Sequence, residues 1–326
     1  MNYRELGRTG WRCSEVGLGC WQLGADWGQV SEPTARAILE AAWENGVNFF
    51  DTADVYGNGR SERIIGQFIR DKKDRVFVAT KVGQDDSLFP DQYTQPAVAR
   101  CVEGSLQRLG VNTLDLLQLH CVPTPVLERQ ELFEWLRELV RAGKVRHWGA
   151  SVESMAQAQL CLRQQGLAAL QIIFNVFRQK PADRLLPDAQ RQGVAIIVRL
   201  PLASGLLAGK FTAKTTFAAH DHRHYNRDGQ AFNVGETFAG LPFEKGVQLA
   251  DALKPLAPSG MTPAQMAQRW TLDHQAVSVI IPGATRPEQA RTNAAVSDLS
   301  PLPRELHQKL HAFYEQSVKQ HIRGPY

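Results

Sequence analysis

Eight times along the chain a short apolar run gives way to a polar loop, and each of the first seven leads on to the next across a connecting segment. The runs fall at 16–19, 48–51, 76–80, 114–119, 145–150, 170–174, 195–200 and 277–281. Helical spacing follows most of them. Ala35, Ile38, Leu39, Ala42 and Trp43 repeat at three and four residues before Gly46, and Val98, Val102, Leu106 and Leu109 do so before Gly110. Further helices are expected from Ser61 through Phe68, over Leu132–Leu139, at 154–165, at 182–192 and from about Pro287. Strand–helix alternation predicts a parallel sheet, and apolar runs of this kind suit strands buried on both faces. Eight units in 326 residues favour a closed (β/α)8 TIM barrel over an open doubly wound sheet. No break in composition divides the chain, so 1–326 reads as a single domain.

Three segments lie outside the repeat. Residues 1–15 carry the turn signal Gly7-Arg8-Thr9-Gly10 between short runs, which predicts an N-terminal β-hairpin cap. Residues 303–320, with Leu306, Leu310 and Phe313, predict an extra C-terminal helix. Residues 206–242 show no periodicity, and a segment this long is expected to be either functional or disordered. Within it, His220-Asp221-His222-Arg223-His224 has metal-ligand residue types, but its place in a long loop reads as a mobile solvated stretch; no metal is expected.

Bulk properties exclude several classes. Lys and Arg exceed Asp and Glu by only 37 to 33, and no dense basic run carries interleaved aromatics, so no nucleic-acid partner is expected. The five cysteines are scattered without a CxxC, as for buried thiols in a reducing compartment. The first residues lack the apolar core of a signal peptide, and no run approaches the ~20 apolar residues of a membrane span. A cytoplasmic protein with no membrane partner is the expectation. Oligomeric state is not legible.

The polar residues that close the runs carry the chemistry. Asp51, Lys81 and His120 stand at the C-terminal ends of the second, third and fourth strands, and Tyr56 lies in the loop after the second. In a parallel barrel these ends form one face, where catalytic groups gather. Singly, each has an ordinary structural reading: a packed Tyr, a solvated Lys, a satisfied core His. Together they describe a phenol beside an ammonium, with a carboxylate to orient the ammonium and an imidazole nearby. Lys81 is expected to lower the Tyr56 pKa from its usual ~10 and so make it a better acid.

Taken together, Asp51-Thr52-Ala53-Asp54-Val55-Tyr56-Gly57, Thr80-Lys81-Val82-Gly83, Leu119-His120, Gly149-Ala150-Ser151, Gln171 with Asn175, the 201–207 segment and the 281–289 segment resemble the aldo-keto reductases over essentially the whole chain. The resemblance implies a barrel that binds NADP(H) without a Rossmann fold; accordingly Gly17-Leu18-Gly19 is followed by Gln22 where a third Gly would be required. It implies reduction of aldehydes or ketones to alcohols by hydride transfer, with Tyr56 as general acid and Lys81, Asp51 and His120 as its partners. It places Ser151 and Gln171 at the nicotinamide carboxamide. Leu202, Ser204, Gly205 and Lys210 match the pyrophosphate loop, and Gly283, Thr285, Arg286, Gln289 and Asn293 the adenosine end. Arg286, before Pro287 at a helix start, favours a 2′-phosphate and hence NADP.

Two departures bear on the cofactor. Arg199 replaces the aromatic residue that usually stacks on the nicotinamide, and is expected either to bias the enzyme toward reduction or to turn away toward substrate. Val152 stands where many members have Asn. Trp21, Trp27, Tyr56 and His120 are expected to frame the pocket of a small carbonyl substrate whose identity the sequence does not disclose. The 206–242 segment, with Gly205 and Gly209 as hinges, is read as a lid over the cofactor. The alternative reading is a cofactor-binding redox sensor or auxiliary protein of the same fold, like the potassium-channel β subunits.

Overall fold

The computed structural model describes residues 1–24, 30–72 and 75–326. An antiparallel hairpin of β1 (Tyr3–Glu5) and β2 (Arg12–Ser14) comes first, with Tyr3 opposite Ser14. Gly7 takes positive φ in its turn, and a Cβ there would lie 2.6 Å from the Gly193 carbonyl oxygen, so the hairpin can approach the barrel only with glycine at this point. Eight parallel strands follow in chain order: β3 (Leu18–Gly19), β4 (Phe49–Asp51), β5 (Phe77–Val82), β6 (Leu114–His120), β7 (Val145–Ser151), β8 (Leu167–Ile173), β9 (Ala195–Arg199) and β10 (Val277–Ile280). The first and last meet through bridges Val16–Ile280 and Gly19–Gly283, with Gly17 N–H donating to Ile280 O at 2.8 Å and Gly19 N–H to Pro282 O at 3.1 Å. The sheet therefore comes round on itself as the expected barrel.

Side-chain alternation along the strands sorts the core into two shells. Phe49, Phe77, Ala79, Leu116, Ala169, Ala195, Ile197 and Val279 pack inside the barrel together with Leu6 and Cys13 of the hairpin. The next residues along, such as Phe50, Val78 and Leu117, belong to the outer layer under the helices. The hairpin thus plugs the N-terminal end, where Trp11 stacks on Phe77 at 4.7 Å between ring centroids. The opposite end is left for chemistry.

Helices cover the outside: α1 (Glu32–Glu44), α2 (Arg60–Arg70), α3 (Gln95–Leu109), α4 (Thr124–Leu127), α5 (Gln130–Arg141), α6 (Met155–Leu162), α7 (Leu185–Arg191), α8 (His222–Tyr225), α9 (Phe243–Leu253), α10 (Pro263–Leu272), α11 (Pro287–Ala294) and α12 (Arg304–Phe313). Caps fix their starts. Ser31 accepts from Thr34 N–H before α1, Thr94 from Ala97 N–H before α3, and Thr262 with Gln265 forms a capping box before α10. None of the helices among the described residues is long and apolar enough to cross a membrane.

The sequence reading missed α9 and α10 altogether, although Phe243, Val247, Ala250 and Leu253 keep helical spacing and are buried. The 220–224 stretch is also not the solvated loop expected. Asp221 caps α8 and is buried, and His222 is wholly buried with its ring 4.8 Å from that of Trp21. Burial lowers the His222 pKa to about 3 against the pull of Asp221, so the imidazole is neutral. The C-terminal helix is shorter than expected: α12 gives way to a π-helical turn over Tyr314–Val318. The tail then returns, with Arg323 N–H donating to Gly240 O at 3.1 Å.

Leu116 is fully buried at the centre of the barrel, where little can move to fill a gap. Leu116→Ala is expected to cost about 2–5 kcal/mol, read as a lower denaturant midpoint with an unchanged slope.

Candidate active site

β4 and β5 end side by side and place Asp51 and Lys81 at the barrel mouth, both nearly inaccessible to solvent. The Lys81 ammonium donates to the Asp51 carboxylate, to Thr52 O at 2.7 Å and to Tyr56 Oη at 3.2 Å. Three acceptors satisfy its three protons. Tyr56 is brought into reach by the turn after β4. Gly57, the next residue, has positive φ and lies so close to the Gly24 backbone that a Cβ would collide with it.

The second oxygen of Asp51 accepts from Gln118 Nε2 at 3.0 Å and Gln171 Nε2 at 2.6 Å. Gln171 Nε2 also reaches Gln118 Oε1 at 3.2 Å, and Ser151 Oγ donates to Gln171 Oε1 at 3.5 Å. One polar layer therefore runs from the tetrad to the residues expected at the carboxamide. Gln118 was missed by the sequence reading. It sits two residues before His120 on the same face of β6, and that alternation was the available signal.

His120 stands edge-on to Tyr56 at 5.8 Å between centroids, and its Nδ1 has no hydrogen-bond partner among the described residues. Burial, then the charges of Lys81 and Arg199, hold its pKa well below the usual value. It is a neutral imidazole with a hydrogen-bonding atom to spare. The expectation of an acidified phenol is corrected. Burial pushes the Tyr56 pKa up to about 12; Lys81 opposes this, but Asp51 cancels much of the ammonium's charge. At neutral pH the phenol keeps its proton and can give it away.

Of the residues expected at the cofactor, Ser151, Gln171, Arg199, Leu202, Ser204, Gly205, Lys210, Gly283, Thr285 and Gln289 line one cleft of about 790 Å³ together with Asp51, Tyr56 and His120. Arg286 and Asn293 do not line it. Arg286 is exposed at the first cap of α11, beside Thr285. Asn293 is buried behind the loop, donating to Gly283 O at 3.3 Å. Gln289 Oε1 accepts from Thr285 N–H at 2.7 Å and Thr285 Oγ1 at 3.0 Å, which fixes the loop entering α11. Trp21 lines the cleft and stacks on Tyr56 at 5.7 Å; Trp27 lies outside the described residues.

The loop after β9 is strained. Leu200, Ala203 and Ser204 all have positive φ, a conformation non-glycine residues adopt chiefly where surrounding structure enforces it. Ser204 Oγ accepts from Phe238 N–H at 3.1 Å and donates to Glu236 O at 3.3 Å, tying this loop to the 206–242 segment. Arg199 makes the second tie. Its guanidinium is forked on Glu236, and Nη1 donates to Val152 O at 3.0 Å and Gln171 O at 3.3 Å. Burial alone would lower its pKa, but Glu236 reverses this and holds it raised. Neither Glu236 nor its neighbour Glu153 was singled out in the sequence, because their pairing spans distant segments.

Cys121, Glu153 and Glu236 bring ligand-type atoms within 4.8 Å of one another. A guanidinium already occupies the place of a cation there, so the cluster is an ion-pair network in character. Burial and then Glu236 push the Glu153 carboxyl up, with Arg199 opposing. The rest of the cleft fits a dinucleotide. Its lining joins the proton-transfer groups to Lys210, to Thr285 in the loop entering α11, and to Gly283, where a Cβ would strike the Gln22 amide. Gln22 Oε1, buried there, has no hydrogen-bond partner among the described residues.

Breaking the Asp51–Lys81 pair on one side leaves an uncompensated buried charge. Lys81→Met and Asp51→Asn are each expected to cost about 3–5 kcal/mol. The double variant should be clearly more stable than the sum of the two losses predicts, as measured by denaturant unfolding.

Residues 15–315 match the model of the Aldo/keto reductase family. Aldo-keto reductase YhdN of Bacillus subtilis is 32% identical over 297 residues, covering 89% of this chain and 86% of its own. A probable voltage-gated potassium channel subunit beta of rice, Oryza sativa subsp. japonica, is 31% identical, with 93% of each chain covered. Among solved structures, the glycerol dehydrogenase of Gluconobacter oxydans superposes with a TM-score of 0.80 at 28% identity, over 100% of this chain and 98% of its own. An aldo-keto reductase from Klebsiella pneumoniae in complex with NADPH gives 0.71 at 26% identity, over 96% and 95%. By sequence along nearly its whole length, and by fold, the chain belongs to the aldo/keto reductase family.

Proposed function

We propose that the protein is an NADPH-dependent reductase of aldehydes or ketones in which Tyr56 gives the proton to the carbonyl oxygen. The observation that carries this reading is the Lys81 ammonium, which joins Asp51, Thr52 O and Tyr56 Oη in the cleft that also holds His120. The family match and the NADPH-bound Klebsiella relative support the cofactor. Bound NADPH would supply the hydride. Ser151 and Gln171 are suited to hold an amide group beside the tetrad, and Lys210, Thr285 and Arg286 to meet phosphates at the far end. His120, neutral and with Nδ1 unpartnered, is suited to hydrogen-bond the carbonyl oxygen.

The raised Tyr56 pKa sets how the rate in each direction depends on pH. Reduction creates an alkoxide, a far stronger base than even this phenolate, so a phenol protonated at neutral pH can quench it. Oxidation requires the phenolate, whose population rises with pH up to about 12. Tyr56→Phe is expected to lower kcat for aldehyde reduction on the order of a hundredfold while leaving NADPH affinity nearly unchanged. Wild-type reduction should be flat around neutrality and alcohol oxidation should climb with pH, a climb the variant lacks. Wild-type turnover in Tyr56→Phe would remove the phenol from the mechanism. NADPH binding without turnover of any carbonyl in a broad panel would instead favour an auxiliary or sensor role, of the kind named for the rice channel subunit.

Arg286, exposed beside Thr285, is suited to read a 2′-phosphate. Arg286→Ala is expected to weaken NADPH about ten- to a hundredfold and to leave NADH nearly unchanged. Equal losses for the two in fluorescence titrations would show that this side chain does not discriminate between them.

A further inference from the structure

Leu116, Gln118 and His120 alternate along the inward face of β6. Leu116 belongs to the barrel core and His120 to the cleft wall, and Gln118 lies between them, wholly buried. An amide buried at that depth needs partners at both ends. The Asp51 carboxylate only accepts, so Gln118 must turn Nε2 toward it, at 3.0 Å, and Oε1 away. That Oε1 takes a Gln171 N–H at 3.2 Å, while Asp51 takes the other proton of the same nitrogen at 2.6 Å. Both Gln171 protons are then engaged behind the wall. Its Oε1 is left on the side of Ser151, as an acceptor, and both residues line the cleft.

The polarity imposed by one carboxylate therefore passes through Gln118 to the atom that Gln171 presents. We propose that Gln118 is a positioning residue for the cofactor: it holds Gln171 as an acceptor, so that the cleft favours a pyridine ring whose side group donates an N–H. The proposal rests on the placement of Ser151 and Gln171 at the nicotinamide carboxamide. Gln118 acts only through Gln171, and the hydride and proton steps do not pass through it. A residue that merely filled space would weaken every ligand of the cleft alike; a residue that sets amide polarity changes the choice between ligands.

The test compares NADP⁺ with its acetylpyridine analogue, in which a methyl group replaces the amide nitrogen and no donor remains. Both are titrated by fluorescence onto wild type, Gln118→Leu and Gln118→Glu. Wild type should favour NADP⁺ about tenfold, as for one hydrogen bond made against one buried acceptor left unpaired. Gln118→Leu removes one of the two acceptors that hold the Gln171 amide, and the preference should fall to about threefold or less. Gln118→Glu supplies the rescue. Burial and the like charge of Asp51 hold the new carboxyl protonated, with Lys81, beside it in the β5–β6 register and paired to Asp51, opposing. While neutral it donates to Asp51 and accepts from Gln171, so the wild-type preference should return at low pH. It should decline as pH rises and the carboxyl ionises, whereas wild type stays flat. A wild type indifferent to the two ligands, an equal preference in Gln118→Leu, or no return in Gln118→Glu at any pH overturns the proposal; should Gln118→Leu bind neither ligand, Gln118→Glu decides alone. None of these titrations needs turnover. A preference that follows residue 118 in a protein that reduces no aldehyde upholds the proposal while the reductase reading falls, and a preference indifferent to residue 118 overturns it with reduction intact.

Discussion

A lysine and an aspartate out of contact with water at the mouth of the barrel set the terms for everything around them. Each charge alone would be too costly to bury, and the pair is tolerable only when the remaining protons and lone pairs are also satisfied. Thr52 O and Tyr56 Oη complete the ammonium, and Gln118 and Gln171 complete the carboxylate. Those four groups come from β6, β8 and the chain leaving β4. The ion pair therefore requires the strands to stand in one register, and the barrel supplies it: Lys81 lies beside Gln118 in the β5–β6 pairing, and Ser151 beside Gln171 in the β7–β8 pairing. What looks like a catalytic detail is also a constraint on how the sheet is built.

The plug at the other end makes this arrangement possible. Leu6, Cys13 and Trp11 close the N-terminal opening with apolar surface, so the barrel interior below the polar layer is dry. At the mouth, burial raises the cost of leaving Tyr56 ionised, and burial with the charges of Lys81 and Arg199 keeps His120 neutral.

Most of the barrel was legible because buried parallel strands write long apolar runs, and because the residues that end them are polar for a reason. The tetrad was legible for the same cause: Asp51, Lys81 and His120 each interrupt a run at its end. What stayed hidden depends on contacts across the chain. Nothing near Glu236 announces that it faces Arg199, 37 residues away, and Glu153 acquires meaning only beside Glu236. The expected lowering of the Tyr56 pKa considered Lys81 alone and omitted both burial and the neutralising aspartate. His222 was read as solvated from its polar neighbours, but the stretch folds into the helical turn α8, and His222 turns in toward Trp21 while His220 and His224 stay exposed. Helices α9 and α10 stand outside the strand–helix repeat, since they follow an aperiodic segment with no strand between them.

The fork between Arg199 and Glu236 has a consequence for how this branch of the family can diverge. Either residue changed alone leaves its partner as a bare charge in a crowded wall, so the two positions are expected to change in concert. A chain with an aromatic ring at position 199 would leave an acid at position 236 without this partner. Exchanging one arrangement for the other a residue at a time would pass through an unfavourable single substitution. Among relatives, the identity of residue 199 should therefore forecast that of residue 236, and with it the course of the whole segment between 206 and 242.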